Sequence, residues 1–486
     1  MCERPIRETV TVMPKLLALV VSTTLALSTI TQSAHATEKQ ATPNQTLHWG
    51  DCPGGPGKVG IECATLQVPV DWDKPDGRQL TLMVGRLRST APTSQGSVLV
   101  NFGGPVGISI DLMRSYGGGE AFAGLRQKMD IVTWDLRGGP NAPGLSTNLP
   151  CDWHGARQPR VPRSQTEFDQ LAATNRAEAE KCQAKDPELF AHMDSATHAR
   201  DADAIRRALG EAKVNYYGAS YGGFIGQAYA ELFPQRVRSL VLDGTWNHST
   251  NNWDRELPRL ARDVQTFLTR FFDWCRTQGN CANAPAVWQR VVAQAQRDPI
   301  PAGTTSYDGN EIRTLGISMA RNGEPSYPKL AAAITKAAAG DASGFAPAPP
   351  QPPFPAAASP GVVECTDWPH PTDQRQLEQQ VRRMEAAAPY TGPAGTIELP
   401  MLSCIGWPVP VQNKPAALPQ GLPPLLMAGN WSEYDTATRV IDQVRGSGSI
   451  YHDGPGHTLY QSNECARAKI DAYFTDLVVP ARGTRC

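Results

Sequence analysis

Ser220 stands at the centre of Gly218-Ala219-Ser220-Tyr221-Gly222, a G-x-S-x-G pentapeptide. The pentapeptide is weak alone, but its setting is specific. Val214 to Tyr217 reads as a short apolar strand before it, and Phe224 to Leu232 as a helix after it. A strand–turn–helix of this kind lifts a serine hydroxyl out of a sheet, where a neighbouring base can activate it for attack on an acyl carbonyl. The Tyr221 N–H then faces the reacting carbonyl from a helix N-terminus, where unpaired amides favour an oxyanion. A second donor is expected from Asn101-Phe-Gly103-Gly104-Pro-Val-Gly107, which follows an early strand. Gly104 is the preferred donor there and Gly103 the close rival. The base should stand near the chain end, in the order serine, acid, histidine. His457, in Gly454-Pro-Gly-His457 after the last strand signal, fills that place. His452 is the rival, but it lies inside the strand candidate and reads as a satisfied histidine. The acid belongs on the segment Gly429 to Thr438, read as a loop leading into a helix near Thr438. Asp435 is preferred and Glu433 is the alternative; whichever is unused reads as a helix cap or a solvated charge.

These residues require a sheet that brings them to one edge. Leu66–Val70 and Leu80–Val84 read as a hairpin around Lys74-Pro-Asp-Gly77. Short apolar runs follow at Ser97–Phe102, Asp130–Trp134, Val214–Tyr217, Val237–Leu242, Pro424–Met427 and Ser449–Tyr451. Such runs suit parallel strands buried on both faces. Helical patterns lie between several of them, as at Asp201–Leu209. The alternation predicts an α/β fold with a doubly covered, mostly parallel sheet. The strand rhythm stops from about 246 to 400. Helix-like stretches, Leu257–Cys275 and Tyr327–Ala339, occupy that segment together with a proline-rich linker at Ala346–Pro355. Because strand signals resume at Pro424, 246–400 reads as an inserted, mainly helical cap. The expected body is then 37–245 and 401–486.

The chain has 486 residues, 46 Lys+Arg against 47 Asp+Glu and a net charge of −1. No basic excess exists to neutralise phosphates, so nucleic acid and anionic membranes are not expected partners. Residues 1–36 carry an export-signal pattern: Arg4, Arg7 and Lys15, an apolar stretch Leu16–Ile30, and Ala34-His35-Ala36 as a small-x-small cleavage site. The apolar run is short and rich in hydroxyls for a membrane span. A secreted or periplasmic protein, free of the membrane once the signal is removed, is therefore expected. Of 11 cysteines, Cys2 leaves with that segment. The remaining ten form local couples, Cys52/Cys63, Cys151/Cys182, Cys275/Cys281, Cys365/Cys404 and Cys465/Cys486, and five disulfides are the expectation outside the cytoplasm. No histidine or cysteine spacing fits a metal site, so neither metal nor cofactor is expected.

With these residues in hand, the sequence resembles the α/β-hydrolase peptidases of the prolyl-aminopeptidase type, and within them the secreted tripeptidyl-aminopeptidase-like branch. The resemblance rests on Cys63-Ala-Thr-Leu-Gln-Val-Pro-Val-Asp-Trp72, the Gly103-Gly-Pro105 loop, Trp134-Asp-Leu-Arg-Gly138, Tyr217-Gly-Ala-Ser-Tyr-Gly222 and Leu242-Asp-Gly244. Toward the C-terminus Cys365-Thr-Asp367, Cys404-Ile-Gly-Trp-Pro408 and Gly483-Thr-Arg-Cys486 extend it. It implies an α/β-hydrolase fold, Ser220 as nucleophile and His457 as base. It also implies release of short peptides or residues from free N-termini, with a carboxylate on the cap holding the substrate ammonium. Asp367 and Glu364 are the candidates for that carboxylate. Two departures stand out. Val106 replaces the last glycine of the usual Gly-Gly-Pro-Gly, and the usual acid spacing lands on Ser432. Asp435-Thr-Ala-Thr438 matches the usual Asp-x-x-Thr-Pro only with extra residues before it and Arg439 in place of the proline. An esterase or small-amide hydrolase of the same fold is the alternative on the same residues. A non-catalytic binding protein on a decayed hydrolase scaffold is the third reading.

Overall fold

The computed structural model describes residues 45–104, 107–115, 118–139, 149, 160–345, 360–396 and 401–486, all within one compact unit. The signal pattern at 1–36, Pro105, Val106, Cys151 and the proline-rich linker lie outside the described residues.

Twelve strands are described. They are β1 (Gly50–Asp51), β2 (Glu62–Pro69), β3 (Gln79–Leu87), β4 (Ser97–Asn101), β5 (Asp130–Trp134), β6 (Val214–Ala219), β7 (Val237–Asp243), β8 (Ile300–Ala302), β9 (Thr305–Tyr307), β10 (Leu426–Gly429), β11 (Gly448–Tyr451) and β12 (Thr484–Arg485). Ten of them form one sheet in the order β1-β2-β3-β5-β4-β6-β7-β10-β11-β12, and β8 and β9 make a separate hairpin. The β1–β2, β2–β3 and β3–β5 pairs are antiparallel. Every pair from β5–β4 onward is parallel.

The central strands are buried throughout because both faces are covered, as their unbroken apolar runs require. Side-chain alternation divides them. Tyr216, Leu240 and Leu242 join one apolar cluster, while Tyr217 and Val241 join the other. The helices are α1 (Ser109–Ser115), α2 (Gly118–Ala121), α3 (Gln165–Gln183), α4 (Pro187–Phe190), α5 (Ser195–Ala208), α6 (Gly222–Leu232), α7 (Trp253–Thr277), α8 (Ala284–Arg297), α9 (Gly309–Ala320), α10 (Tyr327–Ala338), α11 (Pro360–Asp367), α12 (Gln374–Ala387), α13 (Trp431–Ile441) and α14 (Glu464–Asp476). α5, α6 and α13 cover the first face, and α1 and α14 the second.

Between β7 and β10 the chain leaves the sheet. Helices α7 to α10 build a core of their own around Phe267, Phe271, Trp288, Ile312, Leu330 and Phe345. α3, α7 and α12 share a smaller cluster around Phe168, Leu257, Leu377 and Met384. Four disulfides join Cys52 to Cys63, Cys275 to Cys281, Cys365 to Cys404 and Cys465 to Cys486, the sequence-neighbour couples expected above. Among the described residues, no helix is long and apolar enough to cross a membrane.

One boundary differs in a way that matters for the site. The segment after β10 is not a loop running to Thr438. Asn430 is the N-cap and helix α13 begins at Trp431.

Candidate active site

The chain turns from β6 into α6 at Ser220. Ser220 has φ 52°, a left-handed conformation that a side chain disfavours by roughly 1–2 kcal/mol. Its surroundings over-determine it. The Ser220 N–H donates to the Asp243 carbonyl at the end of β7 (2.8 Å), and the Gly223 N–H donates to the Ser220 carbonyl (3.0 Å). A Cβ on Gly218 would lie 2.3 Å from the Gly222 carbonyl oxygen, which is why the turn takes glycine there. Tyr221 is the residue at the head of α6, and its N–H has no protein acceptor among the described residues.

The Gly103-Gly104 turn presses on this elbow. Gly103 has φ 88°, and a Cβ there would sit 2.5 Å from the Ala219 carbonyl oxygen, 2.8 Å from Ser220 Cβ and 3.2 Å from Tyr221 N. The Gly103 N–H is already taken by the buried Asn101 side chain (2.9 Å). Gly104, exposed with φ 118°, has no N–H acceptor among the described residues.

His457 and Glu433 are brought together, with Nδ1 to Oε1 at 2.5 Å. Asp435, the favoured acid from sequence, is exposed and away from this pair. The reason is the early start of α13. Residues two positions apart on a helix lie about 200° apart around its axis, so Glu433 facing His457 turns Asp435 outward. Asp435 is likewise no helix cap, since it stands one turn inside the helix. The His457 side chain is 52% exposed. Burial works against its charged form, but the Glu433 hydrogen bond and charge, helped by the Asp243 charge, outweigh it and hold the imidazole above the ordinary histidine value. His452 is engaged elsewhere, with Nδ1 2.8 Å from the Cys486 carbonyl.

Two residues missed from sequence hold these parts in register. Asp243 is wholly buried. Its carboxylate accepts from the Leu459 and Tyr460 N–H groups and from the Tyr217 hydroxyl, at 2.8–2.9 Å. The residue whose carbonyl holds Ser220 thus also holds the amides two and three residues after His457. Burial pushes this carboxyl up to about 6, against the pull of its N–H donors. Asn430, also fully buried, donates from its side chain to the Gly456 carbonyl, joining the head of α13 to the histidine loop. A buried strand ending in Leu242-Asp-Gly244 was the visible signal for Asp243. Asn430 shows in sequence only once α13 is started at Trp431.

Of the two carboxylates considered for a substrate ammonium, Asp367 is already filled. It is wholly buried and accepts from Ser195 N (2.8 Å), Ser195 Oγ (2.6 Å), the Tyr221 hydroxyl (2.9 Å) and Asn413 Nδ2 (3.1 Å). Four donors occupy the roughly four lone-pair positions of a carboxylate, which leaves nothing for a ligand. Glu364, one turn earlier on α11, differs. Its Oε2 has no hydrogen-bond partner among the described residues, and burial, with the Asp367 charge, pushes it up to about 8. Among the described residues, no group of three or more His, Cys, Asp or Glu is placed to hold a metal ion.

The fold and this elbow define the class, an α/β-hydrolase. Residues 122–329 match the family model described as alpha/beta hydrolase fold, and residues 388–486 match that of the TAP-like proteins. The chain is 28% identical to Serine protease Hip1 of Mycobacterium tuberculosis, over 91% of each chain. It is 29% identical to Tripeptidyl aminopeptidase of Streptomyces lividans, over 90% of this chain and 86% of that one. Carboxylesterase B of Mycobacterium tuberculosis is 28% identical, over 87% and 86%. Within that class the chain is similar, over most of its length, to proteins named as a serine protease and a tripeptidyl aminopeptidase.

Proposed function

We propose that the protein is an exported serine aminopeptidase that releases short peptides or residues from free N-termini, with Ser220, His457 and Glu433 as its triad. The observation that carries the reading is the His457–Glu433 pair, tied through Asp243 to a serine held in a left-handed turn. Ser220 Oγ attacks the acyl carbonyl while His457 Nε2 takes its proton. Glu433 keeps the other imidazole proton on Nδ1 and stabilises the cation that forms. The Tyr221 and Gly104 N–H groups receive the oxyanion. His457 returns the proton to the leaving amine, and water, activated by the same imidazole, resolves the acyl-enzyme.

Glu364 is the carboxylate we assign to the substrate ammonium, because an N–H⁺ donor would supply the partner that its Oε2 lacks. Segment 246–400 serves as the cap that carries it, on a body formed by 37–245 and 401–486. The signal pattern at 1–36 and four disulfides support export. Similarity to tripeptidyl aminopeptidase supports a peptide substrate. Similarity to a carboxylesterase favours one second reading, an esterase using the same triad. An intact acid–base pair weighs against a decayed, non-catalytic scaffold.

A matched panel separates these readings. It holds free-amine mono-, di- and tripeptide anilides, the same compounds N-acetylated, and a short-chain ester. Cleavage of one free-amine length, abolished by acetylation, is the expected result. Ester turnover alone would select the second reading, and silence across the panel would sink both.

A further inference from the structure

α11 ends at Asp367, in the segment that intervenes between β7 and β10, yet its last side chain reaches the nucleophile elbow. Tyr221 follows the nucleophile, is 3% exposed, and has its ring edge-on to Phe224. Its hydroxyl meets two groups, Asp367 Oδ2 at 2.9 Å and Ser195 Oγ at 2.7 Å. Ser195 itself is held by the same carboxylate, through both its N–H and its hydroxyl. Asp367 therefore gathers the head of α5, the far end of the Tyr221 side chain and Asn413 onto one carboxylate.

Asp367 is itself firmly placed. Cys365, two residues earlier, is joined to Cys404. The Thr366 carbonyl accepts from Gln412 N (2.9 Å) and Asn413 N (3.2 Å). His248, whose burial lowers it to about 4 and so keeps it neutral, lies with Nε2 3.0 Å from the Asp367 carbonyl and reaches it as an N–H donor.

We propose that Asp367 is a positioning residue for the reaction, fixing the Tyr221 side chain and through it the Tyr221 N–H that receives the oxyanion. The inference rests on the serine-hydrolase reading above. An oxyanion donor works only within a few tenths of an ångström of its place, and the Ser220 turn is strained and must be held by its neighbours. Tyr221 is anchored at both ends, by the α6 helix at its backbone and by Asp367 and Ser195 at its hydroxyl. Releasing the distal anchor frees the side chain that sets the torsions beside Ser220. Asp367 has no lone pair left for the substrate ammonium, so its effect through Tyr221 belongs to the chemical step; N-acetylated or ester substrates, which do not use Glu364, read that effect alone.

The test uses the full mature chain carrying Asp367→Asn, Asp367→Ala, Tyr221→Phe and Tyr221→Phe/Asp367→Asn. The readouts are kcat and KM on the best anilide, and the rate at which a fluorophosphonate labels Ser220. We expect Asp367→Ala to lower kcat by ~10- to 100-fold, short of the loss of a whole oxyanion donor, with KM within about threefold. Labelling should slow in parallel. Asp367→Asn, which keeps an acceptor oxygen for Ser195, should recover part of the rate. The double variant should lose less than the product of its two single losses, because both act through one contact. If Asp367→Ala does not fold, Tyr221→Phe decides, since it leaves every other Asp367 bond in place. A wild type that labels readily, with Tyr221→Phe and Asp367→Asn both within twofold in kcat, overturns this inference alone. Fully multiplicative losses overturn it as well. A folded wild type that never labels at Ser220 overturns the serine-hydrolase reading and this inference with it.

Discussion

Glu433→Gln against Asp435→Asn is the sharpest test of the site, because the two carboxylates stand two residues apart and the fold treats them oppositely. Glu433 Oε1 lies 2.5 Å from His457 Nδ1; in the proposed triad it fixes the proton there and leaves Nε2 to accept from the Ser220 hydroxyl. A glutamine keeps the shape but can turn its NH2 toward Nδ1. The imidazole then carries its proton on Nε2 and cannot take another. In the Ser-His-Asp triad the equivalent amide change costs about 10⁴ in kcat, or ~5.5 kcal/mol at ~1.36 kcal/mol per decade. We expect a loss of ~10³- to 10⁴-fold in Glu433→Gln, with the fold intact. Asp435 is exposed, so Asp435→Asn should stay within about twofold, as an ordinary surface change does. The pH profile gives a second reading. His457 must be neutral to act as base, and its pKa is held above the ordinary 6.5. Wild-type kcat/KM should therefore fall on the acid side through a value above 6.5. Without the Glu433 bond and charge, burial is left less opposed, and the acid limb of the residual activity moves to lower pH. Steady-state kinetics on one anilide from pH 5 to 9, for folded variants, measures both. Loss of more than tenfold in Asp435→Asn, with Glu433→Gln near wild type, would refute the assignment.

Gly244→Ala should damage the same pair from below. Gly244 has φ 63°, and an added Cβ would lie 3.0 Å from Glu433 Oε2 and 3.1 Å from Thr458 N. We expect about 1 kcal/mol of backbone strain and a larger loss of kcat than of stability, read by kinetics beside thermal melting. Arg439→Met should destabilise the protein by ~3–5 kcal/mol, because Arg439 joins buried Glu256 (2.8 Å) and Asp263 (2.6 Å) and its removal leaves them uncompensated; denaturant titration checks this. Glu364→Gln should raise KM for free-amine substrates about tenfold or more while leaving N-acetylated or ester turnover unchanged, since only the ammonium would use that carboxylate. Equal effects on both substrate kinds would remove Glu364 from substrate binding.

Much of the body was readable from the chain because buried parallel strands are simple signals. The runs at Ser97, Asp130, Val214 and Val237 begin their strands at the residues where the apolar stretch begins. The turn at Ser220 was legible because its pentapeptide sits between a strand and a helix, and the loop of His457 because it follows the last apolar run. Which carboxylate meets that histidine was not, and the cause is local. Trp431-Ser-Glu-Tyr-Asp-Thr carries polar residues that read as loop, yet packing of Ala437, Val440 and Ile441 on the sheet pulls the whole segment into α13. Moving the helix start from Thr438 to Trp431 changes which carboxylate faces the histidine. Asp367 failed differently. A motif match can name a buried carboxylate, but only its donors show whether it has capacity left for a ligand.

The departure at the acid becomes intelligible from the geometry of α13. The usual acid spacing falls on Ser432, one residue before Glu433. A glutamate one position later, with one more methylene, reaches the imidazole from the first turn of a helix rather than from a loop. A helix must be aimed as a body, and Arg439 stands in the last turn of α13. From there it ties α13 to Glu256 and Asp263 on α7. The same α7 reaches the other partner through Arg270, whose guanidinium lies 4.3 Å over the Trp431 ring and bonds Asp453 at 2.5 Å, four residues before His457. Trp431 Nε1 donates to that same Asp453 (2.9 Å). α13 and the histidine loop are thus both pinned to α7, and the loop also to Asp243. A base that is half exposed needs such anchoring, because its own side chain gains little from packing.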